Sequence, residues 1–184
     1  ALMLGADKVL AIDIDPDSVE TSRATIEKYW KSDNFHADLL NIFDPEFSNL
    51  PQFDVVYSWG VLHHTGAMWD AIEKANTRVA PGGQLVIAIY RKTPLCGFWK
   101  WEKRLFTSSG SFVRALLTSV YAALKILWYL LRLKNPIRKI KQYNQGKRGM
   151  HWKSDVIDWL GGYPYESASA VEIVRFVESN GFTH

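Results

Sequence analysis

Short apolar runs alternate with segments of helical periodicity over the first half of this 184-residue chain, and this alternation restricts its fold most. Asp15 followed by Pro16 predicts a helix that reaches about Trp30, and a second helix is predicted for residues 67–79. Strands that alternate with helices at this spacing form right-handed βαβ units and a parallel sheet. We therefore predict a doubly wound α/β fold with a mostly parallel sheet. Its strands are predicted at residues 9–12, 35–37, 53–58 and 84–90.

The pattern changes after Tyr90, where basic residues are interleaved with aromatic and aliphatic ones. Residues 91–148 contain 14 Lys and Arg and a single acid, Glu102, whereas residues 1–90 contain 6 Lys and Arg against 13 Asp and Glu. So basic a block indicates an anionic partner, although basic side chains also solvate the polar faces of helices. We predict three segments. They are a core at 1–90, a helical, basic insertion or lid at 91–166 after the fourth readable strand, and a last helix with the start of a core strand at 167–184.

Residues 112–133 of the insertion form an amphipathic pattern with a narrow polar stripe and a wide apolar remainder. Such a helix suits an anionic membrane surface. We favour instead a lid helix that packs on the domain or on a second subunit in a homodimer, because apolar helix faces are usually core. The polar stripe consists of Arg114, Thr118, Tyr121, Lys125 and Arg132.

The number of cysteines and the spacing of possible metal ligands bear on the cellular location and on metal binding. Cys96 is the only cysteine, which excludes an internal disulfide and fits a reducing compartment. We expect a cytoplasmic protein, with association to a membrane surface left open. No metal site is expected, because no cluster of ligand residues has metal-binding spacing.

Polar groups follow the predicted strands, at the ends where open α/β sheets bind ligands. A carboxylate there can accept hydrogen bonds from both hydroxyls of a ribose. Asp15 is explained as a helix cap, which leaves Asp13 free for a ligand, although Asp13 could equally just end its strand. The other strand ends carry Asp38, Ser58–Gly60 and Tyr90–Arg91.

Three segments together resemble class I S-adenosylmethionine-dependent methyltransferases, namely residues 9–16, 53–64 and 79–87 in that order. The resemblance implies a Rossmann-like fold, methyltransferase activity and S-adenosylmethionine as cofactor. It implies that Asp13 holds the ribose, Ile14 packs on the adenine and Asp38 accepts from the adenine amino group. By the same resemblance Leu39 offers a backbone contact, and the methionine and sulfonium end is lined by Ser58, Trp59 and Gly60.

The chain departs from this family at its beginning. The first strand and the glycine-rich loop of the family are absent, and residues 2–6 look like the tail of the helix that would follow that loop. We interpret the chain as truncated and expect it to bind the cofactor weakly on its own.

His63 and His64 lie just beyond the third strand and are the candidates for a general base, although they could also cap or pack at the helix entry. A base is needed only when the acceptor carries a proton that must leave. The insertion lies where such enzymes bind their acceptor. The acceptor candidates are Tyr90, Arg91, Arg148, Trp152, Tyr163 and Glu166.

The leading function is methyl transfer from S-adenosylmethionine to a small-molecule or lipid-linked acceptor, which could be anionic. A nicotinamide-dependent oxidoreductase is one alternative, and a non-catalytic module that binds a membrane surface is another. Nucleic acid ranks last among partners, because no recognised RNA-binding module is visible.

Overall fold

The computed structural model describes residues 1–30, 33–145 and 151–183, in which strands and helices follow one another in an α/β order. The strands are β1 (Val9–Asp13), β2 (Phe35–Leu39), β3 (Phe53–Trp59) and β4 (Val79–Ala88). The helices are α1 (Pro16–Tyr29), α2 (Met68–Asn76), α3 (Cys96–Ser108), α4 (Ser111–Leu131), α5 (Pro136–Asn144), α6 (Trp152–Gly161) and α7 (Ala170–Ser179). Short 3₁₀ turns lie at Leu2–Leu4, Pro45–Asn49 and Leu62–His64.

The start of α1 is set by its local sequence. Asp15 is the N-cap, and its carboxylate accepts hydrogen bonds from the N–H groups of Asp17 and Ser18 at 3.3 and 3.2 Å. Pro16 occupies the first helical position, where a missing N–H leaves no helical bond unmade. The predicted helix start is confirmed.

The strands pair in two separate two-stranded sheets. β1 and β2 are parallel, as predicted. β3 and β4 also run in the same direction, because the Phe53 N–H donates to the Arg78 carbonyl and the Gly60 N–H donates to the Ala88 carbonyl, at 2.8 and 3.1 Å. Within the described residues β1 and β3 do not pair with each other. Each pair therefore has an open edge that a further strand could cover.

The predicted turn at residues 81–83 lies inside β4 instead of preceding it. A Cβ atom on Gly83 would lie 2.8 Å from the Asp54 carbonyl oxygen, closer than side chains tolerate. Glycine at this position lets β4 continue past the backbone of β3 without a break. The strand consequently begins at Val79 and not at Gln84.

The chain divides into two compact units. The first comprises residues 1–57 and 69–86, and its core includes Val19, Phe47 and Ile72. The second comprises residues 58–68 and 87–184, and its core includes a cluster of Phe106, Val156 and Leu160. The predicted division at residues 90 and 166 stays a prediction.

The helix α4 turns its polar stripe toward its neighbours. The Arg114 guanidinium donates to the carbonyls of Phe106 and Thr107 in α3, at 3.0 and 2.6 Å. The Lys125 ammonium lies 3.5 Å from a carboxylate oxygen of Asp155 in α6. Tyr121, between them on the stripe, packs against the core cluster of the second unit.

The apolar face of α4 consequently points outward, contrary to the expectation that it packs on the domain. Leu116, Val120, Leu124 and Leu127 are each about half exposed, at 53%, 49%, 59% and 50%. Among the described residues α4 is the helix whose length and hydropathy suit a membrane span. This apolar face is called the α4 stripe below.

The last helix follows its predicted caps. Ser169 and Glu172 form a reciprocal capping box at the start of α7, as predicted. The strand expected from Phe182 is absent from the described residues. The Phe182 N–H instead donates to the Val177 carbonyl, at 3.1 Å, and closes the end of α7.

Candidate functional site

The ends of β1 and β2 lie side by side in the first unit. Asp13, the last residue of β1, pairs with Leu39, and Ile12 pairs with Asp38. Both acids therefore stand at the carboxyl ends of neighbouring parallel strands, where α/β folds bind ligands. Ile14 and Leu39 beside them are 69% and 58% exposed, which leaves apolar surface available for a planar ring.

Each of the two carboxylates is already engaged on one side. The Asp13 Oδ1 atom accepts from the Asp15 N–H at 3.0 Å, an interaction that also orders the turn into α1. An Asp38 oxygen lies 3.7 Å from the Arg23 guanidinium, which also donates to the Ala37 carbonyl. Both acids are exposed and keep acceptor sites for a ligand.

The carboxyl end of β3 supplies Ser58, Trp59 and Gly60, which belong to the second unit. Trp59 is 63% exposed, and Gly60 has a φ of +80°. A positive φ favours glycine, so Gly60 turns the chain away from β3 toward the two histidines.

His63 is buried after this turn, with only 2% of its surface exposed. Its ring centre lies 4.3 Å from that of His64 and 4.0 Å from that of Tyr90. Neither ring nitrogen makes a hydrogen bond, although the nearby Ala88 carbonyl weakly favours the charged form. Burial, with His64 as a second cause, lowers the pKa of His63 to about 4. His63 is therefore neutral at physiological pH.

His64 is held differently from His63. Its Nδ1 atom lies 2.7 Å from the carbonyl oxygen of Pro164, which can only accept a hydrogen bond. Its ring also packs closely on Gly162, where a Cβ atom would lie 3.0 Å from Cε1.

An aromatic cluster that contains Tyr90 surrounds the ammonium of Lys103. The Tyr90 ring lies 5.3 Å from that of Tyr165 and 6.0 Å from that of Trp159. Lys103, which is fully buried, places its Nζ atom 3.9 Å from the Trp159 ring centre and donates to the Trp159 carbonyl. Burial lowers the pKa of Lys103 to about 8, against the opposing effect of Glu102.

Lys103, Trp159 and Tyr165 are not among the site residues predicted from the sequence. A signal was present for the lysine, because residues 99, 103 and 106 recur at helical spacing and the first and last of them are aromatic. A lysine on an apolar stripe predicts a buried stem whose charge needs partners.

The predicted acceptor residues do not form one cluster. Trp152 packs against the core of the second unit, and Arg91 is exposed beside a backbone bridge to Ala168. Tyr163 is half-buried in the segment that holds His64. The Glu166 carboxylate accepts from the Met68 N–H at 3.0 Å and so caps the start of α2. Arg148 lies outside the described residues.

Residues 2–85 match a family described as "Methyltransferase domain". The tRNA U34 carboxymethyltransferase of Klebsiella pneumoniae is 32% identical over 85 residues, which are 46% of this chain and 25% of that protein. The tRNA U34 carboxymethyltransferase of Saccharophagus degradans is 33% identical over 84 residues, which are 45% of this chain and 25% of that protein. The chain thus spans about a quarter of the length of these curated relatives.

Residues 2–85 are a methyltransferase domain. The fold agrees with a solved structure whose description reads "PKMT2 from Rickettsia typhi in complex with AdoHcy". It superposes with a TM-score of 0.56 and 17% identity over 94% of this chain and 34% of that one. The class I S-adenosylmethionine-dependent family and the Rossmann-like α/β fold are confirmed. For this domain, the predicted enzyme class, a methyltransferase, and the predicted cofactor, S-adenosylmethionine, are confirmed as well.

The prediction that ranked nucleic acid last among partners is wrong. Relatives of this domain are named for tRNA and not for a small-molecule or lipid-linked acceptor. The absence of a recognised RNA-binding module does not exclude an RNA partner, because a basic surface can bind the phosphate backbone without one.

Proposed function

We propose that the whole protein transfers a methyl group from S-adenosylmethionine to tRNA, and that this chain contributes the cofactor-binding and base-bearing parts. The observation that carries the proposal is that the tRNA-modifying relatives match over the domain itself. A tRNA-modifying activity agrees with the predicted cytoplasmic location.

The basic insertion supports an RNA acceptor. Apart from Lys92, which pairs with Glu172 at 2.7 Å, its exposed cations have no carboxylate within ion-pairing distance among the residues that the structure describes. Exposed cations without carboxylate partners on one segment are typical of proteins that bind nucleic-acid phosphates. These cations include Arg91, Lys100, Arg104, Arg132, Lys134, Arg138 and Lys141.

The described residues fit the adenosine half of the cofactor. Carboxylates only accept hydrogen bonds, and the ribose hydroxyls and the adenine amino group are donors that Asp13 and Asp38 could bind. Ile14 and Leu39 would pack on the adenine. When bound, the cofactor supplies an electrophilic methyl group on a positively charged sulfur. The protein then has to align the acceptor with that methyl group and exclude water.

The acceptor is tested by incubating the full-length protein with methyl-labelled S-adenosylmethionine and, in separate reactions, total tRNA, total protein and lipid vesicles. We expect label in tRNA alone. Label found only in protein or lipid, with none in tRNA, would overturn the proposal.

The cofactor is tested by thermal unfolding of the full-length protein with S-adenosylmethionine, S-adenosylhomocysteine or NAD. We expect the two adenosyl compounds alone to raise the melting temperature, because a ligand that binds only the folded state stabilises it. A shift with NAD alone would support the oxidoreductase alternative, which the family match does not favour.

A second candidate role is contact with a membrane surface. We propose that the α4 stripe contacts a membrane surface. Its leucines and valine are exposed, whereas Arg114 and Lys125 on the other face of the helix contact α3 and α6.

A further inference from the structure

The two candidate bases differ in the surroundings of their rings. His63 has 2% of its surface exposed and lies between the rings of His64 and Tyr90. Neither ring nitrogen makes a hydrogen bond, and burial leaves a charge on this ring little water. His63 therefore serves poorly as a proton acceptor.

His64 has one nitrogen committed and one available. The Pro164 carbonyl, 2.7 Å from Nδ1, requires a proton on that nitrogen. The neutral ring carries one N–H, so Nε2 keeps its lone pair. No hydrogen bond to Nε2 is formed within the residues that the structure describes.

The segment 162–166 is anchored on both sides of Pro164. The Glu166 N–H donates to the His63 carbonyl at 3.0 Å, and the Glu166 carboxylate accepts from the Met68 N–H, also at 3.0 Å. On the other side, Gly162 lets the His64 ring approach, because a Cβ atom there would lie 3.0 Å from Cε1 and 3.6 Å from Nε2. Both ends of the segment thus constrain the ring orientation.

We propose that His64 is the proton acceptor of the methyl-transfer step and that Gly162, Pro164 and Glu166 are the positioning residues that fix its tautomer and orientation. This inference rests on the proposed function. The acceptor's O–H or N–H proton passes to Nε2 of His64 while an acceptor electron pair forms the bond to the methyl carbon. The carbon–sulfur bond breaks, and its electron pair stays on sulfur.

The ring neighbours do not compete for this proton. His63 and Tyr90 are the ionisable side chains whose rings lie against His64, at 4.3 and 5.3 Å between centres. Burial lowers the pKa of His63 and raises the pKa of Tyr90, so both are neutral near pH 7. Neither group therefore competes with His64 for the acceptor's proton.

The first test needs no variant and no cofactor. Nitrogen-15 chemical shifts of the histidine rings in the full-length protein distinguish a protonated Nδ1 from a protonated Nε2. We expect the neutral form of His64 to carry its proton on Nδ1. A proton on Nε2 would overturn the inference whatever the acceptor is.

The second test compares neighbouring glycines. Gly162→Ala should turn the His64 ring, lower kcat with little change in KM and shift the pH–rate profile. Gly161→Ala is the matched control, because its Cβ would lie 3.8 Å from the Phe106 ring, an ordinary contact. Equal pH profiles for the two variants would overturn the positioning role.

The third test removes the base and keeps the hydrogen bond. His64→Gln can still donate to the Pro164 carbonyl but cannot accept the proton, so we expect a loss of roughly 10²–10⁴-fold in rate and of the pH dependence near neutrality. His63→Phe should keep that dependence. A His64→Gln enzyme with the wild-type profile contradicts the inference, whereas a wild-type enzyme that leaves tRNA unmodified contradicts the proposed function instead.

Discussion

Lys103 is a buried cation whose surroundings are mostly aromatic. Its Nζ atom lies 3.9 Å from the Trp159 ring centre and 5.7 Å from that of Tyr165, and it donates to the Trp159 carbonyl. Cation–π contacts and one hydrogen bond offset only part of the cost of removing an ammonium group from water. The folded state therefore favours the neutral amine more than the unfolded chain does.

This preference predicts a pH-dependent stability. Burial lowers the pKa of Lys103 from 10.5 to about 8, so the unfolded chain binds more protons between these values. Stability contributed by this group rises with pH across that interval, by up to about 3 kcal/mol. We expect Lys103→Met to remove this rise in urea unfolding at pH 8 and pH 10. Lys100→Met, exposed on the same helix, is the control, and an unchanged slope in Lys103→Met would contradict the buried charge.

Asp13 carries a prediction about cofactor binding. Asp13→Ala in the full-length protein should weaken binding of S-adenosylhomocysteine roughly tenfold to hundredfold, the effect of losing a charged hydrogen bond. Isothermal titration measures the change. Asp17→Ala, in the first turn of α1, is the control. Equal affinities for wild type and Asp13→Ala would remove Asp13 from the site.

At the scale of the element, α4 shows that an amphipathic pattern does not reveal which face is covered. Its polar stripe meets α3 and α6 because Arg114 donates to carbonyls at the end of α3 and Lys125 lies beside a carboxylate in α6. These partners come from segments distant in the sequence. The apolar face of this helix is consequently not packed on the chain's own core, and its predicted packing on a second subunit stays a prediction.

The orientation of α4 is tested by paired substitutions. Tyr121→Ala should lower the free energy of unfolding by about 2–3 kcal/mol, because its ring packs in the core cluster. The double substitution Leu116→Gln and Leu124→Gln should change it by less than about 0.5 kcal/mol, as is usual for exposed sites. A larger loss from the leucine pair would mean that the stripe is buried.

The same leucine variant tests the membrane role. We expect the wild-type protein to sediment with anionic vesicles and the double variant to remain largely in the supernatant, because burial of apolar side chains drives interfacial binding. Vesicles of neutral lipid are the control for the contribution of the basic residues. Equal sedimentation of both proteins would exclude the α4 stripe as the contact.

At the scale of the whole molecule, opposite charges are segregated along the chain. Residues 1–90 are acidic overall, and residues 91–148 are strongly basic. The acidic part contains the residues that match the methyltransferase domain, so under the proposed function phosphate binding would fall to the insertion.

This segregation predicts where tRNA binding depends on salt. The double variant Arg138→Gln, Lys141→Gln should weaken tRNA binding and reduce the slope of log K against log salt by about 1–2, because each phosphate contact releases counterions. Lys8→Gln with Lys28→Gln removes the same charge from the acidic part and should leave the slope unchanged. Equal slopes for both variants would contradict an RNA-binding insertion.

Local sequence was sufficient for most elements and for the family. Strand composition, the Asp15–Pro16 cap and the Ser169–Glu172 capping box depend on interactions over a few residues, and each appears where it was predicted. The continuation of β4 through Gly83 was missed, because it depends on how closely β3 approaches.

The sequence by itself determined that residues 2–85 form a methyltransferase domain and that two histidines follow β3. Only the tertiary structure decided that His63 is buried, that His64 binds the Pro164 carbonyl a hundred positions away, and that Lys125 of α4 meets Asp155 of α6. The physical reason is that burial and hydrogen-bond partners are set by contacts between distant segments. Periodicity and spacing report only what neighbouring residues can do.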